Sequence, residues 1–148
     1  MASIRSTALD ALYARLETIT GAALIKRNWN GAPSDSQMPA VIMMEGGEEV
    51  SDEFTHNYQI SVPVFINLFL NPEDTDDLAD LQSLWLQKVK EALLQSDASL
   101  GGTSRDLRYR GASDPLTDDD LGGSPFRYIG MQFELLIEHA ETDPTVKV

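Results

Sequence analysis

The chain has 148 residues, 42 % hydrophobic and 24 % charged, a balance that suits one folded domain and excludes a disordered chain. Its formal net charge of −13 opposes direct adhesion to nucleic acid or to an anionic membrane, because phosphate contacts need clustered Lys and Arg. The absence of cysteine removes disulfides, thiolate nucleophiles and cysteine metal sites, and no segment reaches the roughly 20 apolar residues that cross a bilayer as a helix.

The first ten residues hold no apolar run of signal-peptide length. Residues 4–20 have the periodicity of a helix: Ala8, Leu9, Leu12, Tyr13, Leu16 and Ile19 recur at spacings of three and four and form one apolar stripe. Gly21 follows as a helix stop. A short strand is expected over 22–28, a loop rich in Gly, Pro, Ser and Asp over 28–38, and a second strand over 40–44, closed by Gly46-Gly47. Residues 45–53 carry Glu45, Glu48, Glu49, Asp52 and Glu53 and read as a solvated connection, the acidic tip of an extended hairpin.

The most informative stretch is 55–70. Tyr58, Ile60, Val62, Val64, Ile66, Leu68 and Leu70 alternate with Gln59, Ser61, Pro63, Phe65, Asn67 and Phe69. A period of two places these sets on opposite faces of a strand. The first set makes a buried face; the second is mixed, with Phe65 and Phe69 pointing to a partner surface. Pro63 cannot donate to a ladder, so an edge or a bulge is expected there.

Asn71-Pro72-Glu73-Asp74 is a helix start, and the helix is expected to run to about Gln95 with Leu78, Leu81, Trp85, Val89 and Ala92 inward. Ser99-Leu100-Gly101-Gly102 is a turn. Residues 105–112 alternate, Leu107 and Tyr109 one way, Arg108 and Arg110 the other. A loop over 113–124 precedes the last strand, 126–138, whose core face is Ile129, Met131, Phe133, Leu135 and Ile137. The tail, 139–148, is expected to be loose. The order gives one α+β domain over 1–148: a mostly antiparallel sheet with two main helices packed on one face.

Chemistry is sparse. There is no phosphate-cradling loop and no dinucleotide fingerprint, and the Gly pairs sit at turns. His56 and His139 lie far apart in sequence, and Asp74, Asp76, Asp77 and Asp80 do not match a calcium loop. No catalytic, cofactor or metal residue is assigned. Arg105, Arg108 and Arg110 form the compact basic group, suited to an acidic loop of a neighbouring copy. The candidate contact residues are Glu48, Glu49, Asp52 and Glu53, the aromatic pair Phe65 and Phe69, the three arginines, and Asp118, Asp119 and Asp120.

Taken in order, the chain resembles the tail terminator (tail completion) family of long-tailed bacteriophages, of the minor tail protein U type. The resemblance rests on the 4–19 helix, the Met38-Pro39-Ala40-Val41-Ile42 strand entry, the acidic 46–53 connection, the 58–70 strand, the 72–95 helix, the 99–102 turn and the 126–137 strand. It implies a virion protein, made in the host cytoplasm, that sits at the head-proximal end of the tail. Such proteins form a homohexameric ring that stops tail-tube polymerisation and joins the tail-tube protein to a head-completion or connector protein. DNA passes through the lumen without specific binding. It implies no enzyme activity, cofactor or membrane. Other readings are a tail-tube or head–tail connector subunit, a small α+β enzyme, or an acidic adaptor.

Overall fold

The structure, a computed structural model of the chain, describes residues 3–54, 57–71, 78–94, 106–113, 127–140 and 143–147. Among these, seven strands join in one sheet. They are β1 (Leu24–Arg27), β2 (Ala40–Glu45), β3 (Glu49–Phe54), β4 (Asn57–Leu70), β5 (Asp106–Ala112), β6 (Arg127–Ala140) and β7 (Asp143–Lys147). The order is β1-β2-β4-β6-β5, with β3 also on β4 and β7 also on β6. β1 and β2 are parallel and the other pairs antiparallel. Two helices, α1 (Ile4–Leu16) and α2 (Leu78–Leu93), complete an α+β architecture.

The ladder of β4 with β6 runs unbroken from the Asn57–Ala140 pair to Leu70–Arg127. Ile60, Val62, Val64, Ile66, Leu68 and Leu70 on β4 are 0–1 % exposed, as are Ile129, Met131, Phe133, Leu135 and Ile137 on β6. Ala8, Leu9, Leu12 and Leu16 of α1 and Trp85, Val89 and Leu93 of α2 join the same core. The two alternating patterns therefore meet as one apolar face, and both helices seal it.

Hydrogen bonds tie the helices to each other and to the sheet. Ser3 caps α1, its hydroxyl accepting from the Ser6 N–H at 3.0 Å. The Arg15 guanidinium donates to the Leu93 carbonyl at the end of α2, 3.2 Å, where a cation suits the helix dipole. Lys88 donates to the Thr20 carbonyl at 2.9 Å. Arg27 of β1 bridges Asp10 of α1 and Glu45 of β2. Burial opposes its charge, but the hydrogen bonds to those two carboxylates outweigh burial and raise its pKa above the ordinary value.

Pro63 is neither on an edge strand nor in a bulge of its own strand, because β4 is paired on both sides. The irregularity falls on the neighbours instead. β2 pairs with β4 up to Val64 and β3 begins at Ser61, so the two lie end to end along one side of β4. Gly46, between them, donates its N–H to the Pro63 carbonyl at 2.8 Å. The reciprocal bond would need an N–H on Pro63. The Gly46 carbonyl instead accepts from the Arg5 guanidinium of α1 at 3.2 Å. A Cβ on Gly46 would come within 2.5 Å of the Pro63 ring, which explains a glycine at this point.

Three other departures from the sequence expectation have physical causes. α1 ends at Leu16 rather than residue 20, because the Thr18 and Ile19 N–H groups turn back to the carbonyls of Arg15 and Leu16. Gly21, at φ +89°, reverses the chain afterwards. The acidic connection is in large part β3, held by its ladder to β4. Within the expected loose tail, residues 143–147 pair with β6 as β7. The start expected for α2 at 71–77 and the turn at 99–102 fall mainly outside the described residues.

Phe133→Ala, at the centre of the sealed face, is expected to cost about 3–5 kcal/mol in urea unfolding. Arg5→Met leaves the Gly46 carbonyl without its donor and is expected to cost about 1–3 kcal/mol in the same assay.

Candidate functional site

The helices cover one face of the sheet; the other face is partly open. At one end Ala40 and Ile42 are buried, and at the other Leu136 and Glu138 are buried. Between them lies an uncovered strip of β4, β6 and β5. Register places Phe65 beside Gln132, Pro63 beside Glu134 and Asn67 beside Gly130. Phe65 is 37 % exposed, high for a large aromatic side chain. Phe65, Asn67, Arg110, Tyr128, Gly130 and Gln132 line a shallow concavity of about 510 Å³.

Across the floor of the concavity the Tyr128 hydroxyl donates to the Asn67 carboxamide oxygen at 2.8 Å. A Cβ on Gly130 would sit 3.4 Å from that hydroxyl. The Tyr128 ring packs on Phe69, centroids 5.2 Å apart and planes tilted by 60°, a favourable aromatic geometry. Ser113 closes the margin: its hydroxyl accepts from the Gly130 N–H at 3.0 Å, and its N–H donates to the Gly130 carbonyl at 2.8 Å.

β5 bulges between Tyr109 and Gly111. Tyr109 stays on the core side against Phe133, with the Lys90 ammonium 4.6 Å from its ring centre. Arg108 and Arg110 are exposed. Each has an acid within its own chain: Arg108 pairs with Asp106 at 2.9 Å and Arg110 with Glu134 at 2.8 Å. Exposed pairs of this kind are worth about 0–1 kcal/mol.

The sequence candidates therefore separate into groups. Phe65, Phe69, Arg108 and Arg110 share the open side of the sheet. Glu48 is turned toward α1, its carboxylate 3.4 Å from Arg5. Glu49 is exposed, opposite Ser61 in the register. Asp52 and Glu53 are positions of β3. Arg105, Asp118, Asp119 and Asp120 lie outside the described residues, as does His56; His139 is in β6 opposite Tyr58. Sequence reasoning did not single out Asn67, Tyr128, Gly130 and Glu134 as a unit. The off-core phase of the two long strands was the available signal, but the diagonal reach of Tyr128 needs the register. Among the described residues no three of His, Asp and Glu group as a metal site, and no helix is long and apolar enough to cross a membrane.

No protein-family model matches the chain, and none of the curated proteins matches it by sequence. Among solved structures the chain is similar to one described as the virion of a native gene transfer agent particle. The identity is 14 %, the TM-score 0.42, and the match covers 93 % of this chain and 92 % of that one.

Burial raises the pKa of Tyr128 above the ordinary 10.0. The folded state thus holds the phenol proton more tightly than the unfolded chain, a contribution fully present below pH about 10 and lost as pH rises through the raised value. Tyr128→Phe is expected to reduce the alkaline loss of stability and, by removing the bond to Asn67, to cost about 0.5–1.5 kcal/mol at neutral pH. Urea unfolding at a series of pH values checks both. Tyr13, also raised by burial and then by Glu17, keeps its own alkaline contribution in that variant.

Proposed function

We propose that this chain is a structural virion protein of a long-tailed phage type, a ring-forming tail terminator that caps the tail tube and offers a surface to the head side. The observation that carries this reading is the division of the sheet. One face is sealed by helices, while the other exposes Phe65 and the Tyr128–Asn67 floor with the arginines of β5 at its margin. An exposed aromatic side chain beside exposed arginines supports a protein contact there, since both residue types are enriched at such contacts. The resemblance of the sequence, over nearly its full length, to tail terminators supports copies of the same chain, the tube end and the connector as the partners of that contact.

The charge fits the same role. A net charge of −13 would make the wall of a DNA passage repulsive to phosphate, so that the genome slides instead of sticking. A closed ring requires heterologous contacts, one patch of each copy meeting a different patch of the next.

Native mass spectrometry of concentrated protein and negative-stain images of the protein mixed with tail tubes test the reading. The expected result is a closed ring on one end of the tube. Long tubes grown from the pure protein would favour a tube subunit instead, and a monomer that binds no tube end would remove the terminator reading. Phe65→Asp is expected to weaken tube-end or inter-copy binding at least tenfold while leaving far-UV circular dichroism unchanged.

A further inference from the structure

We propose that adjacent copies in the ring join by sheet extension, the outer edge of β3 in one copy pairing with the outer edge of β5 in the next. This rests on the ring reading above and names the contact that would close it. Among the described residues, no strand pairs with the outer edge of β3 or of β5. An open strand edge presents a row of N–H and C=O groups ready for another strand.

The directions fit. β3 and β6 both run antiparallel to β4, and β5 runs antiparallel to β6. β3 and β5 therefore run in opposite directions on opposite margins of the sheet. β3 is level with residues 57–61 of β4 and β5 with residues 61–66, so strands inclined to the ring axis, as in a closed barrel, bring β5 of one copy beside β3 of the next in the antiparallel sense. The helix-covered faces then stay on the same side. The lengths match too, six residues in β3 and seven in β5.

Charge selects this pairing over others. β3 carries Glu49, Asp52 and Glu53 in its sequence, so two β3 edges repel each other. β5 carries the exposed Arg108 and Arg110. Register puts Glu49 opposite Ser61 and Arg108 opposite Glu134, both on the open side of the sheet, so opposite charges meet on one face when the edges join. Their present partners, Asp106 and Glu134, are at the surface and exchangeable.

Because the chain has no native cysteine, cross-linking tests the contact directly. Val50 and Ala112 are both exposed and uncharged, and register places both on the helix side of the sheet, opposite Ile60 and Met131. Antiparallel pairing brings the start of β3, where Val50 lies, beside the end of β5, where Ala112 lies. The full chain carrying Val50→Cys and Ala112→Cys, concentrated and treated with a short bismaleimide, is expected to give a ladder of dimer, trimer and larger bands. Each single variant is expected to stop at dimer or below. Adding Arg108→Glu and Arg110→Glu is expected to abolish the ladder with circular dichroism unchanged, and further adding Glu49→Lys, Asp52→Lys and Glu53→Lys to restore it. Oligomers seen by native mass spectrometry without a ladder would overturn the edge contact and leave the ring reading standing. Protein that stays monomeric at millimolar concentration and on tube ends would overturn both.

Discussion

The structure depends on the unbroken ladder between β4 and β6, which aligns two alternating sequences so that Ile60, Val62, Val64, Ile66 and Leu68 meet Ile137, Leu135, Phe133, Met131 and Ile129. A slip of one residue would turn the inward set of a strand outward, so this register is fixed by burial as well as by hydrogen bonds. Every other element is placed by it. β2 and β3 share the free side of β4, β5 and β7 share the free side of β6, and the helices seal the face on which the ladder concentrates its apolar side chains. The opposite face inherits whatever the alternation leaves over, and that remainder is the proposed contact surface.

The apolar half of this arrangement was readable from residue order, because period-two alternation in β4 and β6 and the stripes of α1 and α2 are local patterns that burial enforces. The edge strand β3 was not. Its acids read as a loop by composition, but a strand of six residues needs no apolar face of its own when a neighbour supplies the ladder. Pro63 was expected to mark an edge or a bulge of its own strand, whereas the break in pairing falls between the neighbouring strands β2 and β3. Its missing donor is absorbed by the gap between β2 and β3, with Arg5 of a distant helix completing the carbonyl. No local pattern announces a bond between residues 5 and 46.

The same distinction applies to the open face. Phe65 and Phe69 stood out because large aromatic residues are unexpected at outward positions, whereas Tyr128 and Asn67 gain meaning only through the register, which sets them diagonally across β4 and β6 within hydrogen-bonding reach. The arginines were legible as a basic pair. Their acids were not, since the β5 bulge sets which carboxylate Arg110 meets.

These pairings also shape the field outside the molecule. The sequence has 24 acids and 11 lysines and arginines. Arg5, Arg27, Arg108 and Arg110 are each engaged with a carboxylate of the same chain, and Lys88 and Lys90 lie over Trp85 and Tyr109. Among the described residues, Arg5, Arg15, Arg27 and Lys88 thus act as staples between elements, while Arg108 and Arg110 stay exposed at the β5 margin. In the proposed ring the consequence is a division of labour. Contacts between copies call on the few exposed arginines at one margin, where exchange of partners is easy, while the remaining surface repels polyanions. A chain with the same net charge but its arginines scattered over the surface would have neither a preferred edge for its neighbour nor a uniformly repulsive wall.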